Sequence, residues 1–261
     1  MMRILFVGDV VGKPGRTLLK ENIRKIETQW GPFDFRIVNA ENAAGGFGLT
    51  EKVMNELFDI GFHCLTSGNH VWDKKEFLEV LDSEQRVLRP ANYPPGVHGQ
   101  GYGLFRSGNG INILVMNLQG RVFMPPIDCP FRKAEEIIES VKAEVVVVDF
   151  HAEATSEKKA LGLFLDGKVS CVLGTHTHVQ TADEQILPKG TAYITDVGMT
   201  GGHAGVIGMD KFGVMERFLK GTPSKFEVCK NGLILNAVVV EVEETTGRAV
   251  DIVRIYDVYE K

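Results

Sequence analysis

Several things are missing from this chain, and each absence removes a class of protein. No apolar run approaches the roughly 20 residues that a membrane-spanning helix needs. No charged-then-apolar leader stands at the start, where Arg3–Val7 is already strand-like, so the cytoplasm is the expected location. Cysteine is sparse: Cys64, Cys129, Cys171 and Cys229 are scattered and show no C-x-x-C spacing. That pattern argues against a disulfide framework and against a sulfur-rich metal site. Cys64 and Cys171 sit inside apolar runs and read as small core residues. Neither sign of charge dominates, with 29 basic and 34 acidic residues and a net charge of −5. A surface of that kind does not attract long polyanions broadly, although a small anion can still bind at a local positive site.

What remains is an ordinary globular composition, 44% apolar and 24% charged over 261 residues. It can bury a sizeable core, and an α/β chain of this length is often one domain. No repeat, low-complexity tract or linker divides it, so residues 1–261 are expected to form a single domain.

Strand, loop and helix patterns alternate through most of the length. Arg3–Gly8, Phe35–Asn39, Cys64–Ser67, Ile111–Leu118, Val145–Phe150, Ser170–Gly174 and Ala192–Ile194 read as strands. Leu18, Leu19, Ile23, Ile26 and Trp30 recur at helical spacing until Gly31-Pro32 stops them. Thr50 caps a second helix that Gly61 ends. Lys75–Leu81, the stretch around Ala134–Val141, Lys158–Leu165 and Lys211–Leu219 also read as helical. Pro90–Gly103 is too rich in glycine and proline for a regular element. The tail reads as a hairpin, Gly232–Val242 and Arg248–Val258 around Thr246-Gly247. The early part therefore resembles βαβ units, and the end is antiparallel.

Five strand-like runs end in metal-ligand residues: Asp9, Glu41-Asn42, Asn69-His70, His151, and His176 with His178. Strand ends are where α/β sheets place their chemistry. His176-Thr177-His178 is the sharpest of these signals, because residues two apart on an extended segment point the same way. An isolated H-x-H is more often a pair of surface histidines; after a buried-looking strand, ligation is the stronger reading. Asp9 alone reads better as a turn or capping residue than as a ligand. Glu41 can offer one oxygen to each of two cations, and Asn42 a neutral carbonyl oxygen. Asn69 and His70 are adjacent, so their side chains diverge and take different work: Asn69 as ligand, His70 as a general acid. Asp73 either orients His70 or caps the next helix. His151 ends the most apolar run, with Asp149 close behind. His63 and His98 read as structural or solvated. His203 lies in the glycine-rich stretch Gly198–Gly208, which reads as a loop beside the substrate or simply as a loop. Oxygen mixed with imidazole, and no thiolate, suits manganese, iron or zinc. Seven ligands are enough for two ions, and paired ions point to phosphoester hydrolysis.

Phe6-Val7-Gly8-Asp9-Val10-Val11-Gly12, Asn39-Ala40-Glu41-Asn42, Thr66-Ser67-Gly68-Asn69-His70 and Thr175-His176-Thr177-His178 resemble the calcineurin-like metallophosphoesterases. They are closest to the YmdB-like bacterial phosphodiesterases, and the likeness spans nearly the whole chain. The wider superfamily has D-x-H first, whereas Val11 stands at the histidine position here; Glu41 stands for its bridging aspartate, and Asn42 is placed to substitute for the missing histidine. The resemblance implies an αββα sandwich with its site at strand ends. It also implies two ions, iron or manganese ahead of zinc, one held by Asp9, Glu41, Asn42 and His178, the other by Glu41, Asn69, His151 and His176. The implied activity is hydrolysis of 2′,3′- or 3′,5′-cyclic nucleotides by a hydroxide held between the metals, with His70 protonating the leaving oxygen. The partner would be a small phosphodiester, with no membrane and no extended nucleic acid; a homo-oligomer is compatible. The rival classes are a regulatory nucleotide-binding protein, a phosphomonoesterase and a nuclease.

Overall fold

Alternate residues of most central strands point into two different cores, and this organises the molecule. In the computed structural model, which describes residues 1–259, the chain begins with β1 (Met2–Val7), β2 (Asp9–Val10), α1 (Gly12–Trp30), β3 (Phe35–Asn39), α2 (Glu51–Ile60) and β4 (Cys64–Thr66). Next come α3 (Leu78–Ser83), β5 (Val87–Leu88), β6 (Tyr102–Arg106), β7 (Asn112–Gln119), α4 (Pro130–Ser140), β8 (Val145–His151) and α5 (Thr155–Leu165). The chain then runs through β9 (Cys171–Thr175), β10 (Gln185–Ile186), β11 (Ala192–Ile194), β12 (Met199–Gly202), α6 (Lys211–Lys220), β13 (Leu233–Val242) and β14 (Ala249–Tyr259). Glu260 and Lys261, the end of the expected domain, lie outside the described residues.

The strands form two mixed sheets. One runs β2-β12-β13-β1-β3-β4-β5, with β14 also paired to β13; the other runs β10-β11-β9-β8-β7-β6. β1, β3 and β4 are parallel neighbours, as are β7, β8 and β9. Met2, Ile4 and Phe6 of β1 share a core with Ile113 and Val115 of β7 and with Val145 and Val147 of β8, so the two sheets pack face to face. Leu5 and Val7 turn the other way, onto Leu18, Leu19, Ile23 and Ile26 of α1 and Val53 and Leu57 of α2. Val146, Val148 and Phe150 turn onto Ala134 and Ile137 of α4 and Leu161 and Leu165 of α5. Period-two alternation thus builds the expected four layers, α, β, β and α. Within each parallel set the strands point the same way, so their C-terminal ends open along one edge of the sheet.

The local signals hold at most boundaries. Thr50 accepts from the Val53 amide and Gly61 ends α2 in the left-handed region, as the capping pattern predicts. Four differences stand out. The Gly198–Gly208 stretch is not all loop: Met199–Gly202 is β12, paired to β2 and β13. The segment read as irregular ends in β6, which starts at Tyr102. Lys75–Leu81 is divided between a 3₁₀ turn at Lys75–Phe77 and α3. The short strands β2, β5 and β10, two residues each, carry no periodic signal to read.

Candidate metal centre

Asp9 follows β1, Glu41 and Asn42 follow β3, Asn69 follows β4, His151 closes β8, and His176 and His178 follow β9. All seven expected ligands come together. Ligand atoms of Glu41, His151 and His176 lie within 4.8 Å of one another, and so do those of Asp9, Glu41 and His178. Asp9, Glu41 and His151 are 0%, 2% and 0% exposed, so this is polar chemistry placed in the interior.

The Nε2 of His151 shows what the pocket is built for. It lies 3.0 Å from Glu41 Oε1, 3.2 Å from Asn69 Oδ1 and 3.0 Å from His176 Nδ1. One N–H cannot satisfy three converging acceptors. Asp9 Oδ1 is buried with no hydrogen-bond partner among the described residues. Burial works to raise the Glu41 pKa, but the charge and hydrogen bond of His151 outweigh it and bring the carboxyl down to about 2. Burial likewise works against charge on His151, yet Glu41 beside it pushes the imidazole up to about 9. Burial and the His151 charge bring His176 down to about 3. Burial raises Asp9. The carboxylates therefore select positive charge at the centre of the cluster, and oxygen and imidazole donors of this kind fit divalent manganese, iron or zinc.

Each imidazole is aimed by an outer partner. Thr175 donates its hydroxyl to Asp149 Oδ1 at 2.7 Å, so its oxygen accepts from His151 Nδ1 at 2.9 Å, which leaves Nε2 as the ring nitrogen turned toward the cluster. Burial pushes the Asp149 carboxyl up to about 7. His176 turns Nε2 to Glu153, 3.0 Å away, and Nδ1 inward. His178 donates from Nδ1 to the Ile207 carbonyl at 2.8 Å, leaving Nε2 facing Asn42 Oδ1 at 3.3 Å. Asn42 in turn donates its amide to the Gly46 carbonyl. His176 and His178 both have positive φ, 101° and 63°, a conformation that non-glycine residues avoid. Thr177 between them donates its amide and hydroxyl to Asp196 Oδ2, which also pairs with buried Lys158 at 2.6 Å. Lys158 reaches the Thr175 carbonyl as well.

The remaining residues divide as their neighbours dictate. His70 diverges from Asn69, and its Nδ1 meets Asp73 Oδ2 at 2.8 Å, which resolves Asp73 as its orienting partner. Lys74, not Asp73, precedes the following 3₁₀ turn and makes no side-chain cap. Asn39 donates to Asp149 and accepts from the Glu41 amide, bracing the carboxylate from behind. Gly68 is obligatory, because a Cβ there would meet Glu41 Oε2 and His151 Nε2 at 2.3 Å each. His63 stacks on Phe35, His98 pairs with Asp82, and exposed His203 lines a separate cavity next to His178. Glu153, Lys158 and Asp196 were missed. Glu153 lies two residues beyond His151, the same spacing that marks H-x-H; nothing in the sequence marks the other two.

A cavity of about 370 Å³ adjoins the cluster, lined by polar residues that include Glu41, Asn42, His70, Glu153, His176, Thr177 and His178 and by four apolar ones. A larger hollow of about 780 Å³ between α1 and α2 holds surface lysines and acids without any ligand cluster. The donor cluster borders the smaller one.

The model of the YmdB-like protein family matches residues 5–255. The chain belongs to the YmdB-like family. A relative from Bacillus subtilis (strain 168), a 2′,3′-cyclic-nucleotide 2′-phosphodiesterase, is 51% identical over 97% of this YmdB-like chain and 96% of its own. A solved structure of a hypothetical protein from Thermus thermophilus superposes with a TM-score of 0.93 at 42% identity, covering 98% of this chain and 99% of that one. A phosphatase structure from Mycoplasma pneumoniae gives 0.93 at 38%, covering 98% and 93%.

Proposed function

We propose that this YmdB-like chain is a metal-dependent phosphodiesterase that opens 2′,3′-cyclic nucleotides at the 2′ ester. The observation that carries the reading is the convergence of Glu41, Asn69 and His176 on His151 Nε2, which creates a cation site beside an open cavity. The substrate class rests on the kinship to the Bacillus subtilis phosphodiesterase.

In this reading Asp9, Glu41, Asn42 and His178 would hold one ion, and Glu41, Asn69, His151 and His176 the other, with iron or manganese preferred and zinc tolerated. Divalent cations, when bound, supply positive charge for the phosphoryl oxygens and lower the pKa of water. Glu41 belongs to both donor sets and would contribute to holding either ion. Asp73 fixes the ring of His70, which lines the cavity. His70, protonated, donates to the ribose oxygen that departs, a contribution of about 10²–10⁴-fold in rate. The strained H-x-H turn keeps both imidazoles inward. The whole chain acts as one catalytic unit.

A substrate panel on metal-reconstituted protein tests this. Rapid metal-dependent conversion of 2′,3′-cyclic mononucleotides to 3′-monophosphates is expected, ahead of 3′,5′-cyclic nucleotides, linear diesters, monoesters and RNA. Tight nucleotide binding without turnover would replace the enzyme with a regulatory binding protein.

A further inference from the structure

The cavity beside the cluster is lined by two unlike sets of residues. One carries carboxylate, amide and imidazole groups. The other is made by Phe47, Ile207, Met209 and Phe226. Phe47 comes from the glycine loop after Asn42, and the other three come from the excursion between β12 and β13. Met209 is buried with Val11, Met199, Val214 and Ile234, and both Phe47 and Phe226 pack against that cluster. Phe47 also meets the His70 ring edge-on, with centroids 5.0 Å apart, so this wall adjoins the proposed acid.

Ile207 differs from the other three. It is 52% exposed and has a φ of 44°. A β-branched residue in the left-handed region is strained, and such strain persists where surrounding structure enforces it. A glycine would take this backbone freely, as Gly208 does next door at 90°. One residue here serves two ends: its carbonyl accepts from His178 Nδ1, and the residue, half exposed, lines the cavity.

We propose that Phe47, Met209, Phe226 and Ile207 form the binding wall for the nucleobase of the cyclic nucleotide, with half-exposed Ile207 as its clamp. The proposal rests on the phosphodiesterase reading. The phosphate of such a ligand belongs with the cationic centre, and the faces of its base are its most apolar part. A cavity of about 370 Å³ falls within the usual range for a small-molecule site, roughly 300–1,000 Å³. None of the four side chains carries an N–H, O–H or carbonyl group, so this wall holds the base by its face and does not itself read its edge. Stacking of that kind tolerates every base. A site that hydrogen-bonds a base edge would discriminate by about 10⁴–10⁵; this wall predicts differences among the four bases of only about tenfold, purines ahead.

Steady-state kinetics of the metal-reconstituted full chain test the wall. The substrates are the four 2′,3′-cyclic mononucleotides and the base-free methyl riboside 2′,3′-cyclic phosphate. In the unsubstituted protein the base should lower KM by roughly ten- to a hundredfold, the range expected of base stacking. Ile207→Gly, Ile207→Ala, Phe47→Ala and Phe226→Leu should each raise the nucleotide KM several-fold, more than kcat falls, and narrow the gap to the base-free compound. Ile207→Gly keeps the carbonyl, so its metal content should match the parent by elemental analysis. The proposal is overturned by equal KM for nucleotide and base-free sugar, by a preference above about 10³ for one base, or by variants that lose kcat equally on both compounds. Failure of the parent protein to turn over any cyclic nucleotide would sink the phosphodiesterase reading instead. In that event fluorescence binding of 1,N6-etheno-AMP decides the wall alone: weaker binding by the variants supports it, and unchanged binding removes it.

Discussion

The two sheets contribute unlike halves of the centre. From the first come Asp9, Glu41, Asn42 and Asn69, all oxygen donors. From the second come His151, His176 and His178, all nitrogen donors. The oxygen half is held mainly by backbone groups: Asp9 accepts from the His176 amide, Glu41 accepts from the His70 amide, and Asn42 donates to the Gly46 carbonyl. The imidazole half needs more support, because a ring must present the correct nitrogen as well as the correct direction. Thr175 with Asp149, Glu153, the Ile207 carbonyl, and the Lys158–Asp196 pair supply that support. The comparison predicts that the oxygen half fails when a ligand is removed, while the imidazole half also fails when its supports are removed.

Glu41→Ala should have the largest effect, since Glu41 belongs to both clusters of potential ligands. Activity should fall below detection and elemental analysis should show loss of metal; two ions per chain in this variant would contradict the bridging role. His70→Ala should retain metal and lose about 10²–10⁴-fold in kcat. An unchanged rate would remove His70 from the acid role. Lys158→Met tests the supports. It leaves the Asp196 carboxylate buried and unpaired, a change worth about 3–5 kcal/mol in stability, readable by urea unfolding of the metal-free protein. It also frees the Thr177 turn, so metal affinity should fall by about 10–100-fold. Loss of stability with full metal affinity would show that the pair serves the fold and not the centre.

The same contrast explains what was legible in the sequence. All seven proposed ligands could be read because each closes an apolar strand or follows it within three residues, and sheet topology converts that local position into a shared location. Parallel strands made the conversion work: β1, β3 and β4 open toward one end, as do β7, β8 and β9. The supports could not be read. Lys158 is 1% exposed, yet in the sequence it is one more lysine on a helix. Asp196 acts on Thr177 across a gap of 19 residues that no periodicity spans. β12 was read as loop because Met-Thr-Gly-Gly has little strand propensity. Its glycines answer to packing instead, since a Cβ on Gly202 would meet the Cys229 carbonyl oxygen at 2.1 Å. The apolar wall was invisible for a similar reason. Phe47, Ile207, Met209 and Phe226 come from two irregular segments far apart in the chain, and only the folded chain brings them to one cavity.

Asp73→Asn probes the edge of the comparison, where a histidine stands on the oxygen side. His70 and Asp73 are 30% and 42% exposed at the side chain, unlike the buried partners of His151. Water already screens such a pair, so its charge interaction is worth about 1 kcal/mol at most. That corresponds to about fivefold in rate. Asparagine can still accept from His70 Nδ1 and hold the ring, so kcat should fall by no more than this, with metal content unchanged. A loss as deep as that of His70→Ala would mean that Asp73 takes part in moving the proton, and the exposed and buried supports would then no longer differ in kind.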